Sequence, residues 1–319
     1  MLTKTFSYQG LRLQNCIVRS ATNDYCGCKD GSISEKQVSI YRRLAESGIG
    51  LIITGNFFVM EEGRLDETQN AIDDTFDYKG AKQLCDTVHE FQGAIVFQIS
   101  HAGQKTKVYS QNRERYQDVS KLTEEEITKI VISFAEAARR VKESGADGVQ
   151  IHFGHGYLLC QLLNDRADGI EIARKLLSTV REYVGAYPIL VKVNTDISPM
   201  RKCGFYKCCE ELSVWAVELS GSNFVDKTKE EHLYYVREIR TCKEVCEVPI
   251  ILTGGIRNAR DIGYALELGA DMVGMSRPFI CQPDWMKYIQ TENSKCLSCN
   301  HCFKSYKENQ RHCILRKEP

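Results

Sequence analysis

The sequence is short of several things, and each absence narrows the field. No apolar run reaches the roughly 18 residues that a membrane span needs. The opening stretch MLTKTFSYQG has no apolar core of the kind that marks a secretory signal. A membrane protein and an exported protein are both disfavoured, and a cytoplasmic location is expected. Neither sign of charge is in surplus, because 42 Lys and Arg balance 42 Asp and Glu. Nucleic acid and anionic membrane surfaces call for a basic face, so neither partner is expected. No G-x-G-x-x-G follows any apolar run, which argues against an open doubly wound sheet with a dinucleotide site. No low-complexity linker divides the 319 residues, a length that single α/β barrels reach.

Cysteine, by contrast, is abundant at fifteen residues. Without a secretion signal these read as reduced thiols and candidate metal ligands rather than a disulfide framework, and several sit singly in helical stretches where they read as packing.

What organises the chain is alternation. Eight β-rich runs can be marked: CIVRSAT (16–22), IGLIITG (49–55), AIVFQIS (94–100), DGVQIHF (147–153), PILVKVN (188–194), SNFVDK (222–227), PIILTGG (249–255) and DMVGMSR (271–277). Helix signals lie between most of them. Ser34 with Gln37 and Thr123 with Glu126 have capping-box spacing, and EEITKIVISFAEAARRVKESG has apolar positions at helical period, closed by Gly145. Eight apolar strands separated by helices predict a closed (β/α)8 TIM barrel in one domain, spanning 1–290, with a short Cys-rich tail at 291–319.

In such a barrel the residues that end each strand build the active site. Gln98 ends the third strand, His152 and His155 the fourth, Lys192 and Asn194 the fifth, Gly254 and Gly255 the seventh, and Ser276 and Arg277 the eighth. Two glycines allow close backbone approach and open N–H donors, and Arg277 adds a fixed fork of positive charge, so a phosphorylated ligand is expected there. A tight strand-to-helix turn capped by Asn258 is the plainer reading of TGGIRNARD.

The stretch IHFGHGYLLCQ spends two of the chain's seven histidines within four residues. H-x-x-H is also half of a zinc site, but no third ligand follows nearby. Two imidazoles at a strand end can instead donate to one carbonyl or phenolate oxygen as it gains negative charge, and Tyr157 can deliver a proton to a neighbouring carbon.

These residues resemble the old yellow enzyme family, the FMN-dependent NAD(P)H:flavin oxidoreductases and ene-reductases. LQNCIVRSATN, YRRLAESGIGLIITG, FQISHAGQK, LTEEEI, ADGVQIHFGHGYLLCQLLNDRAD, LTGGIRNARD and GADMVGMSRPFI look like that family's motifs, in its order. The resemblance implies that Gln98 binds the flavin pyrimidine edge and that Lys192 sits by N1 and the C2 carbonyl. It places Ser20, Ala21 and Thr22 against the flavin ring and Gly255, Ser276 and Arg277 at the phosphate. It makes His152 and His155 the groups that polarise the substrate oxygen, and Tyr157 the proton donor. After NDRAD the family usually continues with a Tyr-Gly-Gly-Ser loop, whereas Gly169 here leads straight into a helix.

The tail carries a second constellation, CLSCNHCFKSYKENQRHC. Cys296, Cys299 and Cys302 are spaced C-x2-C-x2-C, and Cys313 follows after ten intervening residues. Four thiolates are the usual number for a 4Fe–4S cluster, and would equally suit zinc; uncoordinated thiols are the third reading. The dienoyl-CoA reductase and trimethylamine dehydrogenase branches carry such a cluster just after the barrel, so the resemblance favours iron. The sequence runs six residues past Cys313, and the expected electron partner of a cluster is another protein or subunit, unless the cluster is structural.

The expected function is hydride transfer from NAD(P)H through FMN to an α,β-unsaturated carbonyl or similar small acceptor, by a protein that can form a homo-oligomer. Two alternatives stand beside it: a flavin and iron–sulfur electron-transfer subunit, and a non-redox barrel enzyme acting on a small phosphorylated metabolite.

Overall fold

The structure is a computed structural model that describes residues 5–227, 230–304 and 310–315. It opens with an antiparallel hairpin, β1 (Phe6–Tyr8) and β2 (Leu11–Leu13). The barrel elements then follow as β3 (Ile17–Arg19), α1 (Glu35–Glu46), β4 (Leu51–Phe58), α2 (Tyr78–His89), β5 (Ala94–Ser100), α3 (Ser110–Arg115) and α4 (Glu124–Glu143). Next come β6 (Gly148–Phe153), α5 (Leu158–Asp165), α6 (Gly169–Val184), β7 (Ile189–Asn194), α7 (Pro199–Glu211) and β8 (Ala216–Ser220). The last are α8 (Arg237–Lys243), β9 (Ile250–Thr253), α9 (Ala259–Glu267), β10 (Met272–Met275) and α10 (Arg277–Cys281). Strands β3 to β10 pair in parallel with their sequence neighbours, and β10 closes on β3. The barrel is the expected one.

Local chemistry sets the helix starts. Ser34 accepts from Gln37 N while Gln37 reaches back to Ser34 N, and Thr123 with Glu126 repeats that capping box at the head of α4. Asn258 caps α9 by accepting from Asp261 N.

One strand lies elsewhere than expected. SNFVDK is not a strand: Asn223–Asp226 is a single 3-10 turn with Val225 57% exposed, and the sixth barrel strand is the upstream segment AVELS. Glu218 at its centre makes that segment look polar, and only a partner on the neighbouring strand makes its burial tolerable.

The N-terminal hairpin, which the sequence reading passed over, covers one end of the barrel. Trp215 Nε1 donates to the Tyr8 carbonyl at 2.8 Å, and the rings of Phe6 and Tyr8 meet the indole edge-on. Trp215 stands just before β8, so this is the end opposite the active-site mouth.

Strand alternation sorts the side chains. On β6, Val149, Ile151 and Phe153 share one face while Gln150 and His152 share the other; on β7, Leu190, Lys192 and Asn194 share a face. Register then sets His152 beside Lys192, Lys192 beside Glu218, and Gln98 beside Gln150. The result is a polar layer inside the barrel. Glu218, with no exposed surface, accepts from Ser20 Oγ at 2.5 Å, Lys192 Nζ at 2.8 Å, Thr253 Oγ1 at 2.8 Å and Gln150 Nε2 at 2.7 Å. Lys192 Nζ also donates to Ser20 Oγ at 2.8 Å, and Gln98 Nε2 to Gln150 Oε1 at 2.7 Å.

The tail returns across the barrel mouth. Ser294 N donates to the Arg257 carbonyl at 2.8 Å and Arg311 N to the Asp24 carbonyl at 2.7 Å. Among the described residues no helix is long and apolar enough to cross a membrane.

Candidate active site

A cavity of about 300 Å³ opens at the strand C-termini, and the barrel-top residues picked from the sequence line it: Ser20, Ala21, Thr22, Gln98, His152, His155, Tyr157, Lys192, Gly254, Gly255, Ser276 and Arg277. They come from six of the eight barrel strands or the turns that follow them, and the barrel alone brings them together.

The histidine stretch folds back on itself there. His155 (φ 57°) and Gly156 (φ 69°) are both left-handed, and this pair of turns returns the chain over the end of β6. Asn194 Oδ1 accepts from His155 N at 2.9 Å and so ties the turn to β7. The His152 and His155 rings end 5.0 Å apart, and the Tyr157 ring meets His152 edge-on at 4.9 Å.

Their environment fixes their protonation. Burial, then His155 and Lys192, holds His152 well below the ordinary imidazole value; burial and Lys192 push His155 down to about 3. Both are neutral at pH 7 and each can donate one N–H. Burial, with Tyr25 and Asp66 nearby, pushes the Tyr157 phenol up, while Asn56 hydrogen-bonds it, so the phenol keeps its proton. His152 Nδ1 is buried without a hydrogen-bond partner among the described residues, which leaves it for a bound molecule. Burial alone would raise Glu218, but Lys192 and the hydroxyl and amide donors around it hold it below the usual carboxylate value.

At the other end of the cavity, Gly254 and Gly255 adopt φ 140° and 72°, and a Cβ on either would strike the ring of Tyr235 or Tyr234 at 2.8 or 2.7 Å. The glycines are required by backbone and packing alike. Arg277 lies against the rings of Phe224 and Tyr234 and donates to Asn300 Oδ1 at 2.7 Å.

Several lining residues went unassigned in the sequence. Arg257, two residues after the glycine pair, is buried and donates to Ser298 Oγ at 2.9 Å and to the Glu231 carbonyl at 2.6 Å. Its place in GGIR was the available signal. Ser298, Phe303 and Arg311 reach the cavity from the tail, and no local pattern could have placed them. Arg311 is stacked between the Tyr25 and Phe303 rings at 4.5 Å from each and donates to the Asn23 carbonyl at 2.7 Å.

Cys296, Cys299, Cys302 and Cys313 line a second cavity of about 220 Å³, with Arg277 in its wall. Among the described residues no three His, Cys, Asp or Glu side chains stand close enough to hold a single metal ion. Four thiols on the wall of one cavity are the number that either a 4Fe–4S cluster or a zinc ion takes. None of the fifteen cysteines is in a disulfide.

Comparison with known proteins agrees with this geometry. Residues 6–169 match the model of the NADH:flavin oxidoreductase / NADH oxidase family. An NADPH dehydrogenase of Geobacillus thermodenitrificans is 32% identical over 89% of this chain and 92% of its own length. An NADH oxidase of Thermoanaerobacter brockii is 28% identical over 91% of this chain and 52% of its own. In fold, a 2-naphthoyl-CoA reductase superposes with a TM-score of 0.88 at 20% identity, covering 99% of this chain and 56% of that one. The chain thus spans about half the length of the latter two relatives. It belongs to the NADH:flavin oxidoreductase / NADH oxidase family.

Proposed function

We propose that this chain uses FMN and NAD(P)H to reduce the double bond of an α,β-unsaturated carbonyl or a related small acceptor. The observation that carries the acceptor side is the wall of two neutral imidazoles and one protonated phenol, packed at 5.0 and 4.9 Å, facing a cavity whose far end holds two glycines and Arg277. When bound, FMN supplies the hydride chemistry.

The protein's own residues do the rest. Gly254, Gly255, Ser276 and Arg277 would hold the phosphate, with Arg257 as a second cation. Ser20, Ala21 and Thr22 would form the wall against the ring, Gln98 would bind the pyrimidine edge, and Lys192 would sit by N1 and the C2 carbonyl. His152 and His155 would donate to the acceptor's carbonyl oxygen and stabilise the negative charge that grows there. Tyr157 would protonate the adjacent carbon, being a cavity phenol that meets His152 edge-on and that burial keeps protonated.

Residues 291–319 form, on this reading, a cysteine tail to a barrel that ends near 290. Cys296, Cys299, Cys302 and Cys313 would bind a 4Fe–4S cluster. The four-thiol cavity also favours a second reading, an FMN and iron–sulfur electron-transfer subunit that passes electrons to a protein partner. Fifteen thiols without a disulfide support a reducing, cytoplasmic setting.

The deciding experiment is the absorbance spectrum of purified protein with FMN, iron and acid-labile sulfide counts, followed by NADH and NADPH oxidation with and without 2-cyclohexenone. A flavin spectrum and enone-dependent oxidation are expected. Protein that stays colourless after reconstitution with FMN overturns the reading, and flavin reduction without enone turnover selects the electron-transfer alternative.

A further inference from the structure

Two of the residues between the tail thiols point at the cations of the phosphate end. Ser298 lies between Cys296 and Cys299, and its hydroxyl accepts from Arg257 Nη1 at 2.9 Å. Asn300 lies between Cys299 and Cys302, and its Oδ1 accepts from Arg277 Nη1 at 2.7 Å. Both have left-handed backbone, φ 55° and 60°. Non-glycine residues hold that conformation only where their surroundings enforce it.

Little apolar packing enforces it here. Leu297 is 60% exposed and Cys299 is also exposed. The contacts that shape the loop are polar and local, such as Cys296 N to Ser294 Oγ at 3.2 Å and Ser298 N to Cys296 Sγ at 3.5 Å. What the loop does have is the four-thiol cavity on one side and the two arginines on the other, with Arg277 in the wall of both cavities.

We propose that Ser298 and Asn300 are positioning residues for the flavin phosphate, acting through Arg257 and Arg277, and that filling the cysteine cavity tightens FMN binding by fixing the loop that carries them. An arginine side chain has several rotatable bonds, and a phosphate gains from it only when the fork is already aimed. Ligation of Cys296, Cys299 and Cys302 to one rigid group would fix the intervening residues in register, and each intervening acceptor would then fix one guanidinium. Coupling of this kind is reciprocal, so bound FMN must also stabilise the occupied cysteine site.

The inference rests on the proposed flavin and cluster sites, and the test separates the three. The chain is reconstituted anaerobically with iron and sulfide or stripped with a chelator, and FMN is titrated into each by quenching of flavin fluorescence. The loaded form should bind FMN about tenfold tighter, within the roughly 5–150-fold span of such couplings. Ser298→Gly and Asn300→Gly keep the left-handed backbone accessible but delete the acceptor. Each loaded variant should retain its iron and lose most of that difference. In the unmodified chain FMN should slow iron loss to chelator, a measurement that does not depend on the variants folding.

Equal FMN affinity of loaded and stripped chain overturns the coupling, as do glycine variants that keep the full difference, or FMN that leaves iron loss unchanged. A chain that binds FMN but takes up no iron also overturns it, while leaving the flavin reading in place. Failure of both forms to bind FMN removes the proposed function along with this inference.

Discussion

Replacing Lys192 with Met tests the polar layer directly, because it keeps an unbranched stem and deletes the charge. Glu218 has no exposed surface and would lose the cation that pairs with it, while Ser20, Thr253 and Gln150 still donate to it. Removing one partner of a buried pair costs about 3–5 kcal/mol, since the other charge is left without compensation; three surviving hydrogen bonds put this case near the lower figure. At about 2.1 cal/mol/K per residue, unfolding entropy for a chain of this length is about 0.7 kcal/mol/K, so the melting temperature should fall by about 4–7 °C. Lys192→Met with Glu218→Gln removes the stranded charge and should recover at least half of that loss.

The assay is thermal unfolding of flavin-free protein followed by circular dichroism, at pH 7 and pH 5. In the unmodified chain Glu218 lies below its ordinary value, so its stabilising contribution is present above about 4.5 and is lost as pH falls through its folded value. In Lys192→Met burial, the largest influence, is opposed by the surviving hydrogen bonds alone and raises Glu218, so the penalty is largest at pH 7 and shrinks towards pH 5. A single variant that melts with the unmodified protein, or a double variant no better than the single, would refute the account of the layer.

Four further outcomes are expected. His152→Ala should slow the acceptor half-reaction by roughly 10²–10³, with His152→Asn costing less, as stopped-flow reoxidation by enone would read; an unchanged rate makes the pair structural. Tyr157→Phe should slow the same half-reaction while leaving flavin reduction by NAD(P)H intact, and equal slowing of both removes its donor role. Arg277→Ala should weaken FMN retention on gel filtration, and full flavin content in the variant counts against the phosphate site. For His155 the folded value is about 3 against 6.5 unfolded, so the unfolded chain takes the proton first and stability is lost as pH falls from about 6.5 towards 3, at up to about 1.4 kcal/mol per unit. His155→Asn should therefore flatten urea midpoints between pH 7 and pH 5, and an equally steep variant places the acid sensitivity elsewhere.

The barrel was legible because its signals are local: continuous apolar runs, two capping boxes and glycines at turns. Gln98, the two histidines, Lys192, the glycine pair and Arg277 were legible for the same reason, since a barrel sends every strand's C-terminal end to one face. The misplaced sixth strand shows the limit. AVELS carries a charge at its centre, and its burial depends on Lys192, which lies 26 positions earlier in sequence and one strand away in space. Arg311 was hidden for a similar reason, because its partners Asn23 and Tyr25 lie almost the whole chain away.

The protonation of His152 and His155 could not have been read from their own stretch either. Burial lowers both imidazoles most, Lys192 lowers each further, and Glu218 opposes this at His155. The same lysine is a cation that lines the cavity, and the same glutamate is the anion that makes its burial tolerable. Neutral hydrogen-bond donors on β6, a fixed positive charge on β7 and a buried carboxylate on β8 are thus parts of one electrostatic arrangement, set by the parallel register that places His152, Lys192 and Glu218 side by side. An H-x-x-H stretch exposed to solvent and without those neighbours would lie nearer its ordinary titration range. It would then carry charge in acid and offer a different kind of donor to the same oxygen.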